Sequence, residues 1–153
     1  MSITYLDTSA LIKRYIEELG SEELKEWWPS MDLFGAALIT RAEMAAALAK
    51  ASRMRWLETE AAQQAWNIFL EDWQTIAVIE ITNVLVERAG ELAWSDGLRG
   101  YDAVHLAAMI TWQDALGQEI TLGTFDRQLW EAAHIRGMKL FPEDLPGMLD
   151  RQS

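Results

Sequence analysis

The chain has 153 residues, 13 Lys and Arg against 24 Asp and Glu, a formal charge of −11 and no cysteine. That length suits one unit with its own core, and the missing thiols exclude a disulfide framework, a cysteine zinc site and thiol catalysis. Half of the residues are hydrophobic, which argues against disorder, while no apolar run reaches the ~18 residues of a membrane span and the start, MSITYLDTS, lacks the basic lead of a secretory signal.

Residues 3–6 form a short apolar run of strand type, stopped by Asp7, Thr8 and Ser9. Leu11, Ile12, Tyr15, Ile16 and Leu19 recur at helical spacing, and Gly20 is placed to close that helix. Ser21 is placed to cap a second short helix, which Pro29 ends after Trp28. Residues 33–39 read as the next strand, and Thr40 opens an alanine-rich helix reaching Arg53. A long helix over 57–73 carries Leu57, Ala61, Ala65, Trp66, Phe69 and Trp73 on one stripe. Residues 76–81 make a third strand, and Thr82 caps a helix bearing Leu85, Ala89, Leu92 and Ala93. After a break at 97–100, a helix spans 101–116, a short strand 120–122, a helix 126–136 and an edge strand 139–141 before Pro142. The last residues are polar and expected to fray.

Short strands separated by helices require crossover connections, so the fold class is α/β, with a parallel sheet covered on both faces. One unit over 1–153, with its core at 3–141, accommodates all of these elements. Ligands of such sheets gather at the carboxyl ends of the strands. Asp7 and Asp126 follow strands directly, while Glu43 and Asp102 lie in first turns of helices that can come to the same edge. Four carboxylates in one pocket repel, raise one another's pKa and titrate together unless a cation joins them. An all-oxygen set, without cysteine and with only His105 and His134 as histidines, suits Mg²⁺ or Mn²⁺ better than Zn²⁺. A hard cation held this way polarises a phosphate oxygen and activates water, so the substrate class is a phosphodiester or another phosphate. The acidic charge weighs against broad non-specific nucleic-acid binding, yet it is compatible with a nucleic-acid enzyme whose site is itself acidic. Each acid also has a plain structural use: Glu43 completes a capping box with Thr40, and Asp102 and Asp126 suit helix N-termini. The hydroxyls of Thr8 and Ser9 are placed to cap the helix that follows, or one of them to hold a metal-bound water.

Four segments carry a resemblance. YLDTSALIKRY (5–15), RAEMAAAL (41–48), LRGYDAVHLA (98–107) and TFDRQL (124–129) resemble, in order, the four motifs of PIN-domain ribonucleases, especially the VapC-type toxins of bacterial toxin–antitoxin systems. The resemblance runs from residue 3 to about 141. It implies a three-layer α/β/α sandwich around a short parallel sheet, Mg²⁺- or Mn²⁺-dependent endonuclease activity on RNA, and Asp7, Glu43, Asp102 and Asp126 as the acidic, metal-holding set. It further implies a cytoplasmic protein, a homodimer, and a cognate VapB-like antitoxin that places a basic side chain among the acids. Ser9 and Thr124, beside two of the acids, are candidates to orient the scissile phosphate, and Arg99 and Arg127 to contact RNA phosphates, as arginines typically do. Lys13, Arg14 and the run Lys50, Arg53 and Arg55 are lesser candidates for the same contact.

His105 reads first as a packed, hydrogen-bonded helix residue rather than a general base, and His134 has no motif around it. Trp66, Trp73, Trp94, Trp112 and Trp130 fall in helical patterns and are expected in the core. Trp27 and Trp28 cannot both face inward, so one of them is a candidate for an interface. Two other functions fit the residues less well. A phosphatase using Asp7 as nucleophile wants a second Asp two residues on, where Ser9 stands, and a non-catalytic RNA- or protein-binding module would not need the full set of acids.

Overall fold

The apolar run Ile3–Leu6 becomes strand β1. In the computed structural model, which describes residues 1–152, it lies at the centre of a five-stranded, all-parallel sheet. The others are β2 (Leu33–Ala37), β3 (Ala77–Ile79), β4 (Thr121–Gly123) and β5 (Lys139–Phe141), in the order β3-β2-β1-β4-β5. The chain thus winds outward from β1 in both directions. The strand order reverses beside β1, where a doubly wound sheet opens its crevice.

The alternation along β1 explains why both faces are covered. Ile3 and Tyr5 point into one core and Leu6 into the other. The first face is packed by α5 (Asn83–Asp96), α6 (Gly100–Leu116) and α7 (Arg127–Ile135), through Leu85, Leu92, Leu106, Met109 and Leu129, and by α8 (Leu145–Asp150). The second is packed by α1 (Thr8–Leu11), α2 (Ser21–Trp27), α3 (Thr40–Arg53) and α4 (Thr59–Trp73), through Leu11, Leu24, Met44, Phe69 and Trp73. Gly35 in β2 lies so close under the Trp112 ring that a Cβ there would overlap it. Among the described residues, no helix is long and apolar enough to cross a membrane.

Several local expectations are corrected. The helix expected over 11–19 stops early: α1 ends at Leu11 and one 3₁₀ turn follows over Ile12–Arg14. The reason lies in Ser21, whose hydroxyl donates to the Ile16 carbonyl and accepts the Glu18 N–H, folding the chain into a turn. Gly20, at φ 93°, therefore begins α2 rather than closing α1, and it sits against the Phe125 ring. Asp144 caps the unexpected α8 by accepting the Gly147 N–H. The fraying expected of the last residues falls partly on Ser153, outside the described residues. Trp94 is 93% exposed, not core. Neither Trp27 nor Trp28 is free, since Trp27 stacks on Phe141 and Trp28 on Phe34.

Candidate active site

Asp7 leaves the carboxyl end of β1, and its side chain is the N-cap of α1. Oδ1 accepts the Ala10 N–H at 3.0 Å and the Ser9 hydroxyl at 2.7 Å, while Oδ2 accepts the Thr124 hydroxyl at 2.6 Å. Asp7 is only 4% exposed. Burial pushes its carboxyl above the usual carboxylate range, against the downward pull of His105 and these three donors. Thr124 comes from the end of β4, next to β1, and also accepts the Asp126 N–H. The Ser9 hydroxyl in turn accepts the Phe125 N–H. The Asp7 carboxylate is thus bound to the first turn of α1 and to the end of β4.

Glu43 sits in the first turn of α3. Its expected capping box does not form: α3 starts without a side-chain cap, and Thr40 Oγ1 is buried without a partner among the described residues. The Glu43 carboxylate turns instead to Thr8 Oγ1, which donates to Oε1 at 2.8 Å, and to His105 Nε2, 2.7 Å from the same oxygen. Burial works to raise Glu43, but the His105 hydrogen bond and charge, with Thr8, outweigh it and hold the carboxyl below its ordinary value. His105 is 3% exposed. Burial opposes its protonated form, yet Glu43, Asp7 and Asp102 together push its pKa up. Three acids therefore act on one imidazole.

Asp102, in the first turn of α6, and Asp126, the N-cap of α7, share a single cation. Arg99 donates from Nε to Asp102 Oδ2 at 3.1 Å and from Nη2 to Asp126 Oδ2 at 2.9 Å. The other Asp126 oxygen, Oδ1, accepts the Leu129 N–H and starts α7. Burial and the nearby Asp126 charge push the Asp102 carboxyl up, while the Arg99 bond pulls the other way.

The four expected acids therefore meet along the carboxyl edge of β1 and β4, joined through Ser9, Thr124, Arg99 and His105. Arg127 lies elsewhere: its guanidinium donates to Asp150 at 2.8 Å and tethers α8. Thr8 and Ser9 do not cap α1; Asp7 does, and the two hydroxyls serve the carboxylates. Of these supporting residues sequence reasoning passes over Tyr5; it expects Thr8 as a cap, and His105 as the packed, hydrogen-bonded residue that it is. The one local signal was the spacing of His105 three residues after Asp102, which puts both on one side of α6.

The donor chemistry fits a hard divalent cation. The acids offer oxygen alone, and Asp102 with Asp126 already share one positive charge between them. Among the described residues, no three of His, Asp and Glu are drawn tightly enough to cage an ion as they stand. The cleft between α3 and α4 beside Ala45, Ser52 and Trp66, and the apolar groove between α5 and α6 beside Val86 and Tyr101, contain none of the four acids.

The chain and its fold have known relatives. The PIN domain family model matches residues 4–135. Ribonuclease VapC45 of Mycobacterium tuberculosis (strain CDC 1551) and Ribonuclease VapC49 of M. tuberculosis (strain H37Rv) are each 33% identical to the chain over 149 residues, covering 95% of it and 99% of themselves. Among solved structures, PAE2754 from Pyrobaculum aerophilum superposes with a TM-score of 0.63 at 22% identity, over 98% of this chain and 99% of that one. VapBC2 from Rickettsia felis, bound to a DNA fragment from its promoter, gives 0.59 at 17% identity, over 90% and 96%.

Proposed function

The chain belongs to the PIN-domain family, among the relatives of the VapC ribonucleases, and from that premise we propose how its residues work as a metal-dependent endoribonuclease, the toxin of a toxin–antitoxin pair. The unit over 1–153 acts as one PIN-like body. Asp7, Glu43, Asp102 and Asp126 hold a divalent cation, Mg²⁺ or Mn²⁺, directly or through water. The chemistry supplied on binding is polarisation of a phosphodiester oxygen and easier deprotonation of a water. The protein's own groups do the rest. Ser9 and Thr124 hold Asp7 in one orientation. Thr8 and His105 hold Glu43. Arg99, with a side chain 67% exposed, bridges Asp102 and Asp126, and with a cation held by those carboxylates its fork would be free to meet an RNA phosphate. Its partners are RNA, a VapB-like antitoxin protein and a second copy of the chain, in the cytoplasm.

The observation that supports this site most is the meeting, at one sheet edge, of four acids far apart in sequence, two of them already bridged by a cation. A phosphatase with Asp7 as nucleophile is disfavoured, because both of its oxygens are engaged by donors and Ser9 stands where a second acid is required. Purified protein should cut RNA with Mn²⁺ and stop with EDTA. Asp7→Asn should slow cutting about 10²-fold or more, the scale of losing one stabilising group in an active site. Unchanged cutting by Asp7→Asn would remove this site from the reaction.

A further inference from the structure

Tyr5, His105 and Glu43 come from β1, α6 and α3 and form one unbroken line. The Tyr5 hydroxyl is 2.7 Å from His105 Nδ1, and His105 Nε2 is 2.7 Å from Glu43 Oε1. What each group is able to donate fixes the end of the line at Glu43. A carboxylate only accepts, so Nε2 carries the hydrogen in either charge state of the ring; Nδ1 accepts from the phenol when the ring is neutral and donates to it when the ring is protonated. Tyr5 is fully buried, and burial beside Asp7 and Glu43 keeps its hydroxyl protonated, with the Ala37 backbone bonded to the same oxygen. The line ends on Oε1 of Glu43, where the Thr8 hydroxyl also ends at 2.8 Å. Both donors thus fix one oxygen of the carboxylate, and Oε2 has no hydrogen-bond partner among the described residues.

We propose that His105, oriented by Tyr5, is a positioning residue that fixes the Glu43 carboxylate with Oε2 turned toward the divalent cation. This rests on the reading of Glu43 as one of the acids that hold the ion. A free glutamate side chain loses rotamer freedom when it takes up a cation, and one already fixed loses less. Partners that orient a ligand typically matter by about 10–100-fold in metal affinity.

Two substitutions separate this role from plain packing. In His105→Gln the amide nitrogen reaches the position of Nε2 and keeps the donor to Glu43. In His105→Asn the shorter amide reaches only the position of Nδ1, so it keeps a partner for Tyr5 and loses the donor to Glu43. The full chain is titrated with Mn²⁺ alone, free ion being followed by electron paramagnetic resonance, and each variant is melted in parallel. His105→Asn should bind Mn²⁺ about 10–100-fold more weakly, His105→Gln should stay near the unsubstituted protein, and Tyr5→Phe should fall between. Asn binding as tightly as His, or Asn and Gln falling together, overturns the proposal. If both His105 variants unfold, Tyr5→Phe carries the test, and unchanged Mn²⁺ affinity in it overturns the proposal. Glu43→Gln separates the two levels: if it leaves Mn²⁺ binding unchanged, the assignment of Glu43 to the ion fails first and this inference falls with it.

Discussion

Asp7 carries two duties on one side chain, and they pull stability and activity apart. Its Oδ1 caps α1, while its buried charge is, on the function proposed above, what a cation would meet. Because burial raises its folded-state pKa above the ordinary 3.8, the folded protein holds the Asp7 proton longer than the unfolded chain does. Stability from this group therefore falls as pH rises from 3.8 through the folded value, and the cost is complete above that value. Asp7→Asn keeps an acceptor for the Ala10 N–H and removes the charge. In EDTA it should melt higher than the unsubstituted protein at pH 7, by calorimetry, with the gain gone below pH 3.8. A lower melting point at pH 7 would show that the three donors outweigh burial. The acids of this site were legible in sequence because each follows a strand or opens a helix. Their supporting donors were not: Thr8 reaches Glu43 across 35 positions, His105 reaches it across 62, and Tyr5 reaches His105 across 100. The capping box at Thr40 and Glu43 was a sound local pattern that lost to those distant partners.

Among the elements, those with a cap written into the chain were the most readable. Thr82 starts α5 by accepting the Leu85 N–H, and Asp126 starts α7 by accepting the Leu129 N–H. The segment after α1 misled because apolar residues at helical spacing do not reveal a serine that folds the backbone back, and α8 was missed because six residues give too little pattern. One tie between elements was also out of reach of sequence. Arg136, the residue after α7, holds Asp96 at the end of α5 through two parallel bonds of 2.6 and 2.9 Å. The Arg136 bonds keep the Asp96 carboxyl below its ordinary range, so this pair adds stability above the unfolded-state pKa and loses it as pH falls through the lower folded value. Asp96→Asn should cost about 1 kcal/mol at pH 7, the upper end of the range for ion pairs near the surface, and nothing once the pH lies below the folded value. Urea unfolding at the two pH values measures the difference.

At the scale of the whole molecule, the site belongs to neither core alone. Glu43 rides on a helix of one face and Asp102 on a helix of the other, while Asp7 and Asp126 leave the strands between them. Strands alternating with helices made the parallel sheet predictable, and the gathering of ligands at the carboxyl ends of such strands gave the edge on which to look; the switch in strand order beside β1 is visible only in the fold. What sequence did not reveal was that a resident arginine would sit across two of the acids. Its guanidinium means that stripping ions with a chelator leaves no bare negative pair on the Asp102 and Asp126 side. The protein should therefore rest harmlessly in EDTA, with a melting curve close to that in Mn²⁺-free buffer, and regain cutting when Mn²⁺ is restored. A nuclease of this construction sleeps without coming apart, and a stock prepared ion-free is safe to store and simple to wake.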